Sequence, residues 1–394
     1  MFAVRQSSIL CYSAAVILIV LLLATFSSNN AVSRAASRGS RTPDVLNSTL
    51  GFEKILVISM PERHDKRDAM SLSASVSGID FEWMPGGDGA SMSAKSKPPK
   101  IMTLLSAFSK LEVSLENDNN TLGCWRGHMN VMQRIVKERI QSALILEDDA
   151  DWDVNIRKQL FEFAKGARYI QDQSERTAPR SPYGADWDLL WLGHCGIAGY
   201  VEDQRTYVIR DDPTAVPPEL YFRGIRPNLS PPSISGRYNR VVYRGGVGRC
   251  AYAYAMSLEG ARKLLAIETG MGEYALPADR GTARLCSITK YNGRCLTTWP
   301  TLFSSHRAAG PVSKDSDRQD IKGKWREVGE TNEVVFSTRL NMNDIIISDG
   351  LQPQVIKSQW PDKTMLPEYS GDLAYPQGQG VFVKKEEFVV PPAA

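Results

Sequence analysis

Three consecutive acidic residues, Glu147, Asp148 and Asp149, follow an apolar run at residues 143–146 that is typical of a buried strand. Carboxylates at the end of a buried strand are costly unless a ligand uses their charge. Ligands of open α/β sheets bind at the carboxyl ends of the strands, and in an extended chain Glu147 and Asp149 point to the same side. Mn²⁺ and Mg²⁺ prefer oxygen ligands and complete their shells with water and substrate phosphates. The motif therefore predicts a divalent cation that holds a diphosphate group.

A capping role for the same acids is the alternative. A helix is predicted over residues 154–170, and acidic side chains stabilise the first turn of a helix. Asp153 is the better placed cap for that helix because it directly precedes it. Ligand binding is therefore the favoured interpretation for Glu147, Asp148 and Asp149, whereas Asp151 is expected to face solvent.

The elements that must position these acids alternate between strands and helices. Apolar runs predict strands at residues 54–59, 81–84, 143–146, 186–193 and 250–256. Helical spacing and cap residues predict helices at about residues 62–77, 121–141, 154–170 and 257–268. Residues 91–119 are predicted to be an insertion and residues 196–247 a loop-rich stretch. The alternation predicts an α/β fold with a mostly parallel, doubly wound sheet.

Composition excludes two broad classes of protein. Lys and Arg supply 47 of the 394 residues and Asp and Glu supply 44, so the net charge is +3. This balance excludes a nucleic-acid binder with a broad cationic face. Charged residues are 23% and apolar residues 42%, which excludes an acidic, disordered chain. The length is sufficient for about two domains or one large α/β domain.

The N-terminal region predicts a membrane anchor. Residues 9–26 are uncharged and apolar, and as a helix they would be roughly 27 Å long, close to the thickness of an early secretory bilayer. A signal peptide cleaved near residues 31–33 is the alternative. Arg34, Arg38 and Arg41 follow the span, which the positive-inside rule would place in the cytosol. The stem-like composition of residues 27–49 favours a type II topology with a lumenal globular part.

The predicted organisation has five parts. They are a cytoplasmic tail at 1–8, the transmembrane anchor at 9–26, a stem at 27–50, a globular domain at 51–320 and a partly irregular C-terminal extension at 321–394. The C-terminal extension is Pro-rich from residue 361 onward.

Five cysteines follow the predicted anchor, so at most two disulfides can form and one thiol is left over. Cys286 and Cys295 flank a segment with an Asn-Gly turn, which predicts a loop closed by a disulfide. The chain has no Cys-x-x-Cys, and its four histidines are far apart in sequence. A zinc site is therefore not expected.

Three motifs occur in a characteristic order. They are Ile55-Leu-Val-Ile-Ser-Met-Pro-Glu-Arg63-His-Asp-Lys-Arg67, Gly123-Cys-Trp-Arg-Gly-His128 and Leu144-Ile-Leu-Glu-Asp-Asp149. In this order they resemble glycosyltransferase family 25, which includes lipooligosaccharide and procollagen galactosyltransferases. The resemblance covers about residues 53–160 and extends more weakly to about residue 310. The departures are Ser59-Met60, where the family usually has Asn-Leu, and Gly127, where it usually has Ser.

The resemblance implies a GT-A-type fold, in which a Rossmann-like sheet carries a metal at a strand end. It also implies a nucleotide-sugar donor and a glycan or glycoprotein acceptor. In the acidic motif of the family, the first carboxylate (here Glu147) holds the donor ribose and the last (Asp149) holds Mn²⁺ or Mg²⁺, with Asp148 between them in the donor site. Arg63 and Arg67 would approach the diphosphate, since guanidinium binds phosphate bidentately. Their alternative is to be surface arginines on an exposed helix.

Three further residues are candidates for the same site. His128 lies on a predicted helix and would bind the donor, or would simply be a packed histidine. Asp279 would take the proton of the acceptor hydroxyl, with a salt bridge to Arg280 or Arg284 as the alternative. His306 would complete the metal shell or touch the diphosphate, with a hydrogen bond to backbone as the alternative.

The sequence as a whole predicts a single-pass type II enzyme of the Golgi or endoplasmic reticulum membrane. The expected reaction is an inverting transfer of a hexose, with UDP-galactose as the expected donor, onto a glycan or glycoprotein hydroxyl. A metal-dependent phosphoesterase is an alternative, although the scattered histidines support it poorly. An inactive glycan-binding or scaffolding protein is another, in which tryptophans stack on sugars.

Overall fold

The computed structural model describes residues 45–97, 119–173, 181–199, 205–222, 227, 233–270, 277–287, 291–317, 323–347 and 354–383. The predicted tail, the predicted anchor and most of the predicted stem lie outside these ranges, as does most of the predicted insertion. Among the described helices, none is long and apolar enough to cross a membrane.

Ten strands form the central sheet. In chain order they are β1 (Lys54–Ser59), β2 (Glu82–Pro85), β3 (Ser142–Glu147), β5 (Leu189–Gly193), β6 (Ile197–Gly199), β7 (Arg205–Ile209), β8 (Arg240–Gly248), β9 (Ala253–Ser257), β10 (Cys295–Trp299) and β17 (Gln379–Phe382). Their spatial order is β17-β7-β8-β10-β5-β9-β3-β1-β2, and β6 pairs with β8.

The sheet has one dominant strand direction. β1 is parallel to β2 and β3, and β5 is parallel to β10. The remaining described pairs are antiparallel. Traced across the sheet, β8, β9 and β17 run against the other seven strands. The predicted α/β class is therefore confirmed, and most strands of the sheet run in one direction as expected of a mostly parallel sheet, but β8, β9 and β17 are antiparallel to the others, a direction that the prediction did not include.

The prediction for residues 196–247 is wrong in one respect. This stretch contains β6, β7 and most of β8, whereas its prolines and Arg-Gly pairs predicted mainly loops. Glycines 245, 246 and 248 lie within β8 and weaken its strand pattern. They fit there because β6 packs closely: a Cβ on Gly248 would lie 2.7 Å from the Ile197 side chain.

Six described helices complete the main fold. They are α1 (His64–Val76), α2 (Asn119–Glu138), α3 (Ile156–Ile170), α4 (Leu258–Leu265), α5 (Ala278–Ser287) and α6 (Met342–Ile347). Ser257, where the sequence predicts a capped helix to begin, is the N-cap of α4, because its hydroxyl accepts a hydrogen bond from the Gly260 N–H at 3.0 Å.

The central sheet is buried on both faces, as β3 shows. Leu144 and Leu146 pack into one apolar cluster, which includes residues of α3. Ala143 and Ile145 pack into a second cluster, which includes residues of α2. Successive side chains of a strand point to opposite faces, so a strand covered by helices on both sides is apolar at every position. This packing explains the uninterrupted apolar run before the acidic motif.

Short strands attach the C-terminal part of the chain. A three-stranded sheet joins β4 (Ala150–Trp152), β11 (Phe303–Arg307) and β14 (Glu330–Thr331). Two hairpin-like pairs join β12 (Gly310–Pro311) to β13 (Trp325–Arg326) and β15 (Val355–Lys357) to β16 (Glu368–Ser370). The predicted C-terminal extension thus supplies β13 to β17, and β17 is an edge strand of the central sheet.

The cysteines follow the predicted arithmetic. Cys286 and Cys295 form a disulfide, which confirms that prediction, and Cys195 is bonded to Cys250. Among the described cysteines, Cys124 is left as a free thiol.

Candidate active site

The acidic motif lies where β3 ends. Glu147 is the last residue of β3, and Asp148 and Asp149 form the turn into β4. The Glu147 side chain is 31% exposed, whereas Asp148 and Asp149 are buried. All three line a cavity of about 460 Å³. The strand therefore presents its carboxylates to a half-open cavity that is large enough for part of a nucleotide sugar.

Five of the predicted site residues line this cavity. They are His128, Glu147, Asp148, Asp149 and Asp279. Arg63 and His306 line a smaller cavity of about 230 Å³, which shares Lys66 and Asp149 with the first. Arg67 is not among the described residues that line either cavity.

Glycines allow the walls of the larger cavity to approach closely. The loop after β2 contains Gly87, and a Cβ on Gly123 of α2 would lie only 2.2 Å from the Gly87 carbonyl oxygen. A side chain at Gly123 would therefore push the loop away from α2. The first residue of the Gly123-Cys-Trp-Arg-Gly-His128 motif is therefore needed for close packing between α2 and this loop.

Asp148 is paired with a lysine that is not among the predicted site residues. Lys66 of α1 places its Nζ 3.2 Å from Asp148 Oδ1 and donates to Asp317 Oδ2 at 2.8 Å. Burial raises the pKa of Asp148 to about 6, although the Lys66 ammonium acts in the opposite direction. Burial would lower the pKa of Lys66, but Asp149 and Asp148 outweigh that effect and raise it. Lys66 is therefore a cation at the floor of the site.

Asp149 is paired on one side only. Arg307 of β11 donates from Nη1 to Asp149 Oδ2 at 2.8 Å, and the His306 N–H donates to the Asp149 carbonyl at 2.8 Å. The other carboxylate oxygen, Oδ1, is buried and receives no hydrogen bond from the described residues. A buried carboxylate oxygen without a donor is unfavourable unless a ligand or cation reaches it.

Neither of the two predicted arginines lines the larger cavity, and Arg63, which directly precedes α1, lines the smaller one. Arg63 donates to both oxygens of Asp65 at 2.9 Å and also pairs with Asp317. Arg67 stacks over the Trp83 ring, 4.0 Å from its centroid. Their contact with a diphosphate remains a prediction, and Lys66 is the α1 cation that lines the larger cavity.

His306 is held by a hydroxyl rather than by backbone. Its Nδ1 is 2.9 Å from Thr331 Oγ1 and 3.9 Å from Asp151 Oδ2. Burial lowers the pKa of His306 to about 4, so the imidazole is neutral at physiological pH. Its role as a metal ligand remains a prediction.

Asp279 lies in the first turn of α5. Its Oδ2 accepts from the Cys250 N–H at 3.1 Å and its Oδ1 from the Arg280 N–H at 2.9 Å. Arg284, one of the two predicted salt-bridge partners, lies 3.5 Å from Glu268 instead. The Asp279 carboxylate is thus fixed by two backbone donors at the cavity wall.

His128 is part of a cluster with Cys124 and Glu147. Its Nε2 is 3.5 Å from Glu147 Oε1, and its Nδ1 is 2.8 Å from the Tyr254 hydroxyl. One ligand atom from each of the three residues lies within 4.8 Å of the other two. The expectation that no zinc site occurs rested only on the lack of Cys-x-x-Cys and on the spacing of the histidines. It did not take into account a group that joins a helix to a strand end.

The roles predicted for Asp151 and Asp153 are wrong. Asp151 is fully buried and accepts hydrogen bonds from the Trp152 N–H and from the hydroxyls of Thr331 and Ser337. Asp153 is also buried, and α3 begins three residues later. Asp153 accepts from Asn155 and from the Phe336 N–H, each at 2.9 to 3.0 Å. Both aspartates therefore attach the C-terminal part of the chain to β4.

A comparison with protein families finds a match over part of the chain. Residues 52–203 match the model of glycosyltransferase family 25 (LPS biosynthesis protein). This region contains α1, α2 and the acidic motif, so the resemblance stated from the sequence motifs is confirmed for this part of the chain.

Individual relatives match at low identity. The chain is 24% identical over 144 residues to procollagen galactosyltransferase 1 of Danio rerio, covering 36% of this chain and 22% of that protein. It is 20% identical over 288 residues to a glycosyltransferase 25 family member of Aedes aegypti, covering 71% of this chain and 40% of that protein. It is also 25% identical over 232 residues to the human inactive glycosyltransferase 25 family member 3, covering 59% of this chain and 31% of that protein. The matched region is thus less than half of the length of these relatives.

Proposed function

We propose that this chain is a nucleotide-sugar-dependent glycosyltransferase of the GT-A type. It transfers a hexose, with UDP-galactose as the first donor to test, onto a glycan or glycoprotein hydroxyl with inversion. The family match over residues 52–203 and the cavity at the carboxyl end of β3 support this proposal.

One observation carries the proposal: the buried Oδ1 of Asp149 has no hydrogen-bond donor among the described residues. Asp149 lies at a strand end, and two basic side chains, Lys66 and Arg307, are already close to it. Its Oδ1 therefore suits a small hard cation better than a third basic side chain. Mn²⁺ and Mg²⁺ often use only one or two carboxylates. Asp149 would hold the ion through Oδ1, with Glu147 nearby in the same cavity. The ion would neutralise the negative charge that develops on the leaving diphosphate.

The protein's own cations fit the same leaving group. Lys66 and Arg307 both line the larger cavity and already face Asp148 and Asp149. A bound diphosphate offers them oxygens to which charge-assisted hydrogen bonds form. In this proposal they orient the diphosphate, and Glu147 accepts from the ribose hydroxyls of the donor.

Asp279 completes the proposed reaction. The acceptor hydroxyl oxygen forms a bond to C1 of the hexose while the bond from C1 to the diphosphate oxygen breaks. The hydroxyl proton passes to the Asp279 carboxylate, and the nucleoside diphosphate leaves with the bonding electron pair. The two backbone donors on Asp279 fix the carboxylate without neutralising its charge.

A lumenal location in the Golgi or endoplasmic reticulum is also proposed. Its support is the pair of disulfides, Cys195–Cys250 and Cys286–Cys295, since disulfides persist in oxidising compartments. Peptide mapping of non-reduced protein from eukaryotic cells should find both pairs bonded. Recovery of Cys286 and Cys295 as free thiols would contradict the location.

An inactive family member is the second candidate, because the match to the human inactive relative is as high in identity as the match to the zebrafish galactosyltransferase. The full chain should be incubated with Mn²⁺ and a panel of nucleotide sugars, with and without glycan and glycopeptide acceptors, and the released nucleotide measured. Release of UDP from one donor above the no-enzyme rate supports the enzyme. Absence of release from every donor, in protein that is folded, supports the inactive alternative.

A further inference from the structure

We propose that Cys124, His128 and Glu147 form a zinc-type metal site on the wall of the larger cavity, separate from the carboxylate oxygen of Asp149. This inference goes beyond the proposed glycosyltransferase activity and does not depend on it.

The backbone already presents the three ligands together. Cys124 and His128 are four residues apart on α2, so their side chains lie on the same face of the helix. Glu147 comes from the end of the neighbouring β3. Zn–N bonds of about 2.1 Å, Zn–S bonds of about 2.3 Å and Zn–O bonds of about 2.0 Å put tetrahedral ligand atoms roughly 3.3–3.6 Å apart. The observed 3.5 Å between His128 Nε2 and Glu147 Oε1 fits this spacing, and the whole group lies within 4.8 Å.

The donor set favours a borderline metal over a hard one. A thiolate and an imidazole suit Zn²⁺, whereas Mg²⁺ and Mn²⁺ prefer oxygen ligands. Three protein ligands leave one position of a tetrahedral ion, and all three residues line the cavity. The remaining position would therefore face the cavity, as in zinc sites that bind water or a substrate atom. Cys124 is available for this role because the other described cysteines are paired in disulfides.

Tyr254 supplies an independent indication. Its hydroxyl lies 2.8 Å from His128 Nδ1, so Nε2 is the nitrogen left to face Glu147. A partner on the second ring nitrogen is the usual arrangement of a metal-binding histidine. A nucleophilic Cys-His-Glu triad would instead need the carboxylate on the nitrogen opposite the thiol. Here Tyr254 occupies Nδ1 and Glu147 faces Nε2, so no ring nitrogen opposite the carboxylate is left for the thiol, which favours a metal site over a triad.

The site is compatible with the proposed donor contacts. A metal bound through one oxygen of Glu147 leaves the second oxygen for a donor hydroxyl. Asp149 stays outside the cluster, so a single chain can hold a zinc-type ion at one site and a hard cation at the other.

Zinc binding to the full chain tests the proposal directly. The protein is treated with chelator under non-reducing conditions, exchanged into chelator-free buffer and titrated with Zn²⁺ against a competing indicator. We expect one tight site, whose affinity falls by at least about 100-fold in Cys124→Ser and in Glu147→Gln, because each loses a ligand. Tyr254→Phe should lose about 10- to 100-fold, as outer-shell partners do.

Asp149→Asn is the matched control, since it removes a carboxylate of the same cavity from outside the cluster. Its zinc affinity should equal that of the wild type. Co²⁺ should give a thiolate-to-metal absorption band in the wild type and in Asp149→Asn but not in Cys124→Ser. Zn²⁺ should also slow alkylation of Cys124 in the wild-type chain, which tests the site even if a variant fails to fold.

Two outcomes overturn the proposal. One is a wild-type chain without a tight zinc site. The other is a zinc site that Cys124→Ser and Glu147→Gln leave unchanged, with no protection of Cys124 from alkylation. Neither outcome bears on nucleotide release, so failure of the zinc site and failure of the transferase are distinguishable.

Discussion

Asp149 and Arg307 meet across 158 residues of sequence, with Nη1 of the arginine 2.8 Å from Oδ2 of the carboxylate. The pair joins the end of β3 to β11, and the main chain reinforces it because His306 donates to the Asp149 carbonyl. The arginine satisfies one carboxylate oxygen and leaves the other, Oδ1, for a ligand. Asp149 thus holds β11 in place and also supplies the carboxylate oxygen of the proposed cation site.

Asp151→Asn should destabilise the fold. The Asp151 carboxylate is fully buried and accepts hydrogen bonds from the hydroxyls of Thr331, in β14, and of Ser337, which follows that strand. An amide nitrogen would face those donors in place of an oxygen, and breaking such buried hydrogen bonds costs about 1–3 kcal/mol. Urea unfolding of the full chain gives the free energy of unfolding.

Asp172→Asn is the control for this change, because the Asp172 side chain is 92% exposed. It should leave the free energy of unfolding within about 0.5 kcal/mol of the wild type. Equal stability of Asp151→Asn and Asp172→Asn would contradict the structural role of Asp151.

The free energy of unfolding should decrease as the pH rises, because the buried Asp153 carboxyl group loses its proton. Burial raises the pKa of Asp153 to about 7, with hydrogen bonds from Asn155 and Phe336 acting against the shift and the nearby Asp212 adding to it. Between pH 4 and pH 7 the native state therefore binds a proton that the unfolded state has released. This contribution is present below pH 4 and is lost as the pH rises through 7, with a slope of at most about 1.4 kcal/mol per pH unit.

Asp153→Asn isolates this contribution, because asparagine does not titrate. The free energy of unfolding of the wild type minus that of Asp153→Asn should decrease as the pH rises from 5 to 8. Urea unfolding at several pH values measures it, and a difference that stays constant between pH 5 and pH 8 would show that the pKa of Asp153 is not raised in the folded protein.

Lys66→Met should weaken donor binding more than Arg67→Met. Lys66 lines the larger cavity, whereas Arg67 stacks on Trp83. Loss of a charge-assisted hydrogen bond costs about 1.5–3 kcal/mol, so the KM for the nucleotide sugar should rise roughly 10- to 100-fold in Lys66→Met. Calorimetric titration with UDP measures the same loss without turnover. A larger rise in KM for Arg67→Met than for Lys66→Met would contradict this prediction and would support the contact between Arg67 and the diphosphate that the family resemblance implies.

The elements that could be predicted from the sequence are those governed by local patterns. The apolar run of β3, the Ser257 cap and the loop closed by Cys286 and Cys295 each depend on neighbouring residues, and the structure confirms all three. The position of the acidic motif at a strand end follows from the same local pattern.

The missed residues depend on contacts between distant parts of the chain. Arg307 reaches Asp149 only because β11 pairs with β4, and the burial of Asp151 requires β14 to cover it. Lys66 is next to the predicted Arg67, but the rotation of α1 decides which of the two faces the cavity. The four-residue spacing of Cys124 and His128 on a predicted helix was a local signal that could have identified the cluster with Glu147.

We propose that Asp149 holds a divalent cation needed for glycosyl transfer. UDP release from the donor identified in the panel should be measured for the full chain, for Asp149→Asn and for the exposed control Asp172→Asn, each with Mn²⁺ and with excess chelator. From this role of Asp149 we expect that chelator stops the wild type and Asp172→Asn, and that Asp149→Asn loses about 100-fold or more of the rate in Mn²⁺ while remaining folded by circular dichroism. Full activity of the wild type in chelator, or of Asp149→Asn in Mn²⁺, would contradict it.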